Sequence, residues 1–104
     1  KNEALADRSY RGRMVESAAG AHLCNTATSE CEIYYWRDGT HEVDFVLERG
    51  SRLVAIEVKS GVVPEKLAGM DAFVRGFGAC RQLLIGDGGI PLAEFLSYPA
   101  EHWF

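Results

Sequence analysis

Apolar positions alternate most regularly between His41 and Ser60, in the stretch HEVDFVLERGSRLVAIEVKS. Val43, Phe45 and Leu47 recur with period two, and so do Val54, Ile56 and Val58. That period predicts two strands, each with one face turned to a core. Gly50-Ser51 between them predicts a two-residue loop, with Gly where a type II′ turn needs it. The implied register sets Arg49 opposite Arg52, Leu47 opposite Val54, Phe45 opposite Ile56 and Val43 opposite Val58. Val43, Phe45, Leu47, Val54, Ile56 and Val58 then share one buried face. The other face pairs Glu48 with Leu53, Val46 with Ala55, Asp44 with Glu57 and Glu42 with Lys59. A slip of one residue would turn the apolar set to water, so the register is well specified.

Other elements follow from periodicity and punctuation. A helix is predicted from a cap at Asp7 or Ser9 through an Ala-rich run to Leu23 or Cys24. The loop Asn25 to Cys31 leads to an aromatic strand, Glu32 to Arg37, and Asp38-Gly39 signals a tight turn into the hairpin. Gly61 to Pro64 ends the third strand. A second helix is predicted from Pro64 to Phe77, its core stripe formed by Leu67, Met70, Phe73, Val74 and Phe77. Cys80 to Ile85 reads as a short buried strand, Asp87-Gly88-Gly89 as a turn, and Pro91 to Tyr98 as a last short helix. GDGG is too short and wrongly placed to cradle a phosphate. The order α-β-β-β-α-β, with a helical crossover between the last two strands, predicts an α/β mixed sheet flanked by helices.

Composition sets limits on function. The 104 residues suit one domain, and 47% hydrophobic with 25% charged is ordinary for a globular chain. No apolar run is long enough to cross a membrane and the first residues are no signal peptide, so a cytoplasmic location is expected. The chain opens on Lys1 rather than Met, which reads as a piece of something longer. A net charge of −4 provides no broad basic stripe for non-specific nucleic-acid binding, although metal-binding carboxylates would contribute to that sum. Cys24, Cys31 and Cys80 lack the C-x-x-C spacing of a zinc or redox site and read as thiols in a reducing cytosol. His22, His41 and His102 have no second ligand at a recognised spacing.

Candidate chemistry lies on the second face of the hairpin. Facing carboxylates at Asp44 and Glu57 are destabilising unless something positive sits between them, and Lys59 shares their face. Hard oxygen ligands of this kind suit Mg²⁺ or Mn²⁺, with waters and a substrate phosphate completing the shell. Glu16, on the first helix, is flanked on its own stripe by Gly12, Ala19, Gly20 and Leu23, so it is expected to face packed structure near the pair. The alternative is a set of surface acids, with Glu16 solvated or paired with Arg11 or Arg13, and a Glu42–Lys59 cross-strand ion pair.

These residues carry a resemblance. Asp44, then Glu57-Val58-Lys59, preceded by a helical Glu16, resembles the PD-(D/E)xK signature of restriction-endonuclease-like nucleases. GRMVESAAGAHL, YYWRDGTHEVDFVLE and AIEVKSG resemble, more closely, the C-terminal domain of a group of bacterial and archaeal AAA-type ATPases, over Arg11 to about Leu96. The resemblance implies that Asp44 and Glu57 bind metal, that Lys59 is catalytic and that Glu16 completes the acidic cluster. Val43 stands where the motif name has Pro, and the Gln-x-x-x-Tyr of exonuclease-type members does not follow the second helix. No G-x-x-x-x-G-K-[ST] occurs, so the ATPase domain implied as partner would lie elsewhere on a longer chain. Function is therefore expected to be metal-dependent phosphodiester hydrolysis of DNA or RNA. The alternatives are an interaction or sensing module for the ATPase and, third, a plain assembly domain.

Overall fold

The computed structural model describes residues 3–59 and 67–104, with side chains described from residue 14 onward. In chain order the elements are α1 (Glu3–Thr26), β1 (Glu32–Asp38), β2 (His41–Arg49), β3 (Arg52–Lys59), α2 (Ala68–Phe77), β4 (Arg81–Gly86) and α3 (Leu92–Phe95), then a 3₁₀ turn at Ala100–Trp103. The strands form a single sheet in the order β1-β2-β3-β4, antiparallel except for the parallel β3–β4 pair. This is the mixed α/β arrangement expected from the element order. None of the described helices is long and apolar enough to cross a membrane.

Both sheet faces are covered, because β2 and β3 are apolar on both sides. On one face Leu47, Val54, Ile56, Leu83 and Ile85 pack against Ala19 and Leu23 of α1, Phe95 and Trp103. On the other, Val46 and Ala55 pack under Met70 and Phe73 of α2. The turn is as expected: Gly50 takes φ +62°, Ser51 keeps negative φ, and Arg49 pairs with Arg52. From there the predicted register holds as far as Phe45–Ile56, where the β2–β3 ladder ends.

Several expectations need correction. Val43 does not share the face of Phe45 and Leu47; it is buried with Val46, Met70 and Phe73 under α2. The cause is a bulge in β2. The pairs Tyr34–Val46 and Trp36–Val43 enclose Tyr35 alone on β1 but both Asp44 and Phe45 on β2. One extra residue in a period-two pattern moves everything before it to the opposite face. Asp7 and Ser9 do not cap α1, which starts at Glu3 and runs to Thr26, because EALADR is itself good helix sequence. Phe77 is 58% exposed rather than core; it lies on the last turn of α2 and stacks on Phe73. The last predicted helix is shorter, Leu92–Phe95, and the following 3₁₀ turn buries Ala100 and Trp103, which the apolar spacing did not flag. The predicted start of α2 at Pro64 and the strand terminator Gly61 to Pro64 lie outside the described residues.

Candidate functional site

The β2 bulge turns a regular hairpin into a site. A regular ladder would give the Val58 N–H to the carbonyl of Val43; instead Asp44 Oδ2 accepts it at 2.7 Å. The strands therefore part beyond Phe45–Ile56, and a side chain occupies the gap between them.

Glu57 follows Ala55 by two positions, so it points to the α2 side, yet it is only 6% exposed. It is the one buried charged residue among the described residues. Burial first, then the Asp44 charge, pushes its carboxyl up to about 7; Lys59 and the Asp44 backbone N–H oppose that rise. Lys59, two positions further along the same face, places Nζ 3.7 Å from Glu57 Oε2. Asp44 is raised as well, mainly by burial, with the Val58 N–H bond and Lys59 pulling it back. Two carboxyls thus share a half-dry pocket in which full ionisation of both is unfavourable.

Asp44, Glu57 and Lys59 line an open cleft of about 300 Å³, together with Thr40, His41 and Glu42 of the β1–β2 corner, Leu67, and Ala68 and Gly69 at the start of α2. Among the described residues no side chain caps the start of α2, which borders the cleft at Ala68 and Gly69. Gly69 is required here: a Cβ would collide with the Glu42 carbonyl oxygen, so only glycine lets the helix start this close to β2. Glu42 itself is drawn away from the cleft's centre. Its Oε2 receives Arg37 Nη2 and the Tyr35 hydroxyl, both at 2.9 Å, and these two donors hold its carboxyl below the ordinary range. The Glu42–Lys59 pair anticipated as the ordinary alternative is therefore replaced by Glu42–Arg37 and Glu57–Lys59.

Glu16 lies on α1, half-buried, and its carboxyl is raised by burial and then by the charges of Asp44 and Glu42, with Lys59 opposing. The charge of Asp44 reaches it, while Glu57 is not among the groups that shift it. Among the described residues, however, no three His, Cys, Asp or Glu side chains gather closely enough to form a metal cage. Of the predicted set, Asp44, Glu57 and Lys59 line one cleft, and Glu16 is not among its lining residues. Sequence reading missed the α2 N-terminus and Gly69; the only available signal was a glycine near the start of a predicted helix.

A family model described as a domain of unknown function, DUF4143, matches residues 11–98. The chain belongs to the DUF4143 family. Such domains are found at the C-terminus of AAA-type ATPases. No curated protein and no solved structure matches the chain. The DUF4143 match takes in the bulge, both carboxylates, Lys59 and all of α2, so the cleft lies wholly within the family region.

Proposed function

We propose that this DUF4143 domain is a metal-dependent phosphodiester hydrolase of the restriction-endonuclease-like kind, acting on DNA or RNA in the cytoplasm and attached to an AAA-type ATPase. One observation carries the reading: Glu57 is buried beside Asp44 and Lys59 in an open polar cleft, at the point where the hairpin is split by a bulge. A carboxylate held near neutral pKa by burial and a like charge is costly to keep unless the site uses it.

The residues suit a hard divalent ion. Asp44 and Glu57 would hold Mg²⁺ or Mn²⁺, for which one or two carboxylates plus waters and a substrate phosphate suffice. When bound, the ion would polarise the phosphodiester and lower the pKa of a coordinated water. Lys59 offsets developing negative charge on the phosphate and orients the attacking water. The first turn of α2, at the edge of the cleft, would offer N–H groups and a favourable dipole to a phosphate oxygen. Glu16 adds negative potential that favours a cation over bulk solvent.

A second reading is that the cleft senses or docks a partner of the ATPase, with the acids retained but idle. It is favoured by the lack of a three-acid cage among the described residues. The deciding experiment incubates the full protein with labelled single- and double-stranded DNA and RNA in Mg²⁺, Mn²⁺ or EDTA. Divalent-dependent cleavage that disappears in Asp44→Asn, Glu57→Gln and Lys59→Ala supports hydrolysis. Absence of cleavage with every substrate and ion, or equal cleavage by wild type and the three variants, removes it.

A further inference from the structure

At the opposite end of the hairpin from the acid cleft, the sheet presents arginines. Arg49 and Arg52 face each other across the Gly50–Ser51 turn. Arg81 opens β4 beside Val54, which follows Arg52 by two positions, so Arg81 is the diagonal neighbour of Arg52 on the same sheet face. All three side chains are exposed. Like charges directly opposite in a ladder repel, and the register leaves no room to turn either arginine to the other face.

The local acids do not match this charge. Glu30 reaches Arg49 at 3.5 Å, and Glu101, whose carboxyl is held low first by the Thr28 hydroxyl, also feels the charge of Arg49. Arg52 and Arg81 form no ion pair among the described residues. Arg49, Arg52, Gly50, Ser51 and Glu30 line an open cleft of about 690 Å³, and none of those side chains is apolar.

We propose that this end of the sheet is a phosphate-backbone contact surface for a polynucleotide, with Arg49, Arg52 and Arg81 each taking a phosphate. Guanidinium forks are shaped for bidentate contact with phosphate oxygens. A row of arginines spread over adjacent strands suits a repeating anion better than a single one, and no apolar side chain lines the cleft to anchor a hydrophobic peptide. The choice of a polynucleotide rests on the hydrolase reading above. The contact itself needs no divalent ion, so binding and cleavage can fail separately.

The test measures fluorescence anisotropy of a labelled twelve-nucleotide oligo-dT with the full protein in EDTA, across a salt series. With three phosphates neutralised at about −0.7 each, the log–log slope is expected near −2, a roughly 18-fold loss of affinity between 50 and 200 mM salt. Arg52→Ala or Arg81→Ala should reduce that loss to roughly 7-fold, while Arg52→Lys keeps the slope. Glu30→Gln frees Arg49 and should tighten binding. Melting temperatures of the exposed-site variants serve as the folding control, and Arg75→Ala, an exposed arginine in the last turn of α2, should leave binding unchanged. Inorganic phosphate is titrated as a competitor at fixed ionic strength and is expected to displace the oligonucleotide only weakly, one phosphate against three. The proposal is overturned by no anisotropy change at 20 mM salt, by an unchanged slope in Arg52→Ala and Arg81→Ala, or by inorganic phosphate binding as tightly as the oligonucleotide, which would make the surface a site for the free ion.

Discussion

Asp44 Oδ2 accepts the backbone N–H of Val58 at 2.7 Å, so a side chain of β2 substitutes for a rung of the β2–β3 ladder. This bond ties the acid's position to the fold. Asp44→Ala strands the buried Val58 N–H and is expected to cost roughly 1–3 kcal/mol. Asp44→Asn retains an acceptor oxygen and removes the charge that opposes Glu57, so it should be as stable as wild type or more stable without divalent ions. Urea unfolding in EDTA at pH 8 checks both. Equal destabilisation by Ala and Asn would show that the hydrogen bond is not what matters.

Stability should fall with rising pH in the metal-free protein. Glu57 is raised from 4.5 to about 7, so between those values the folded state binds a proton that the unfolded chain has released. Its favourable contribution is complete below pH 4.5 and lost as pH rises through about 7, on the order of 3 kcal/mol at most. Asp44 and Glu16 are shifted in the same direction and add the same sign. Glu42 and Glu101 are shifted down and act in the opposite sense only at acid pH. Unfolding free energies from pH 5 to 8 should therefore decline in wild type and flatten in Glu57→Gln. Lys59→Met, lacking the cation 3.7 Å from Glu57, should move the midpoint higher still. A wild-type profile that is flat or rising would refute the raised carboxyl.

Divalent ions should reverse that instability. Mn²⁺ or Mg²⁺ is expected to raise the melting temperature at pH 8, where both carboxylates must ionise to bind, and to do so less at pH 5.5. At a hundredfold excess over Kd the gain is about 2.7 kcal/mol. Asp44→Asn and Glu57→Gln should abolish the response, and Lys59→Ala should retain it, since an ammonium is not a ligand. Thermal shift in EDTA against each ion is the measurement. An unaltered response in the acid variants would place the ion elsewhere.

Gly69 controls how close α2 comes to the cleft. Gly69→Ala forces a methyl group against the Glu42 carbonyl, so α2 must move outward. Overpacking of this kind costs about 1–3 kcal/mol. It should also lower turnover more than it lowers divalent affinity, because the acids sit on β2 and β3. Gly76→Ala, where nothing lies near the added methyl, is the matched control and should be neutral or slightly stabilising.

Local chemistry made much of the hairpin legible. Gly50 specifies the turn, the turn specifies the register, and the register aligns Arg49 to Phe45 with Arg52 to Ile56 without reference to any other element. The same holds for the Met70 and Phe73 stripe, which buries as its spacing requires, and for the parallel placement of β4 after a helical crossover. Period two also put Glu57 and Lys59 on one face. Each of these depends on backbone geometry repeated over a few neighbouring residues.

What the sequence by itself determined was thus the order of elements, the turn, the register near it and the residue types at the cleft. Only the tertiary structure decided that Val43 faces α2, because the bulge at Asp44 and Phe45 depends on how β1 aligns with β2, not on the alternation within β2. Only packing decided that Glu57 is buried, since an acid on an alternating strand reads equally well as solvated until α2 covers it. Packing also decided Trp103 and Phe77. Trp103 is buried by a turn too short to show periodicity, while Phe77, on the last turn of α2, lies against Trp36 and Phe73 yet stays 58% exposed. Long-range contacts fix burial, and burial fixes the carboxylate pKa values on which the proposed chemistry depends.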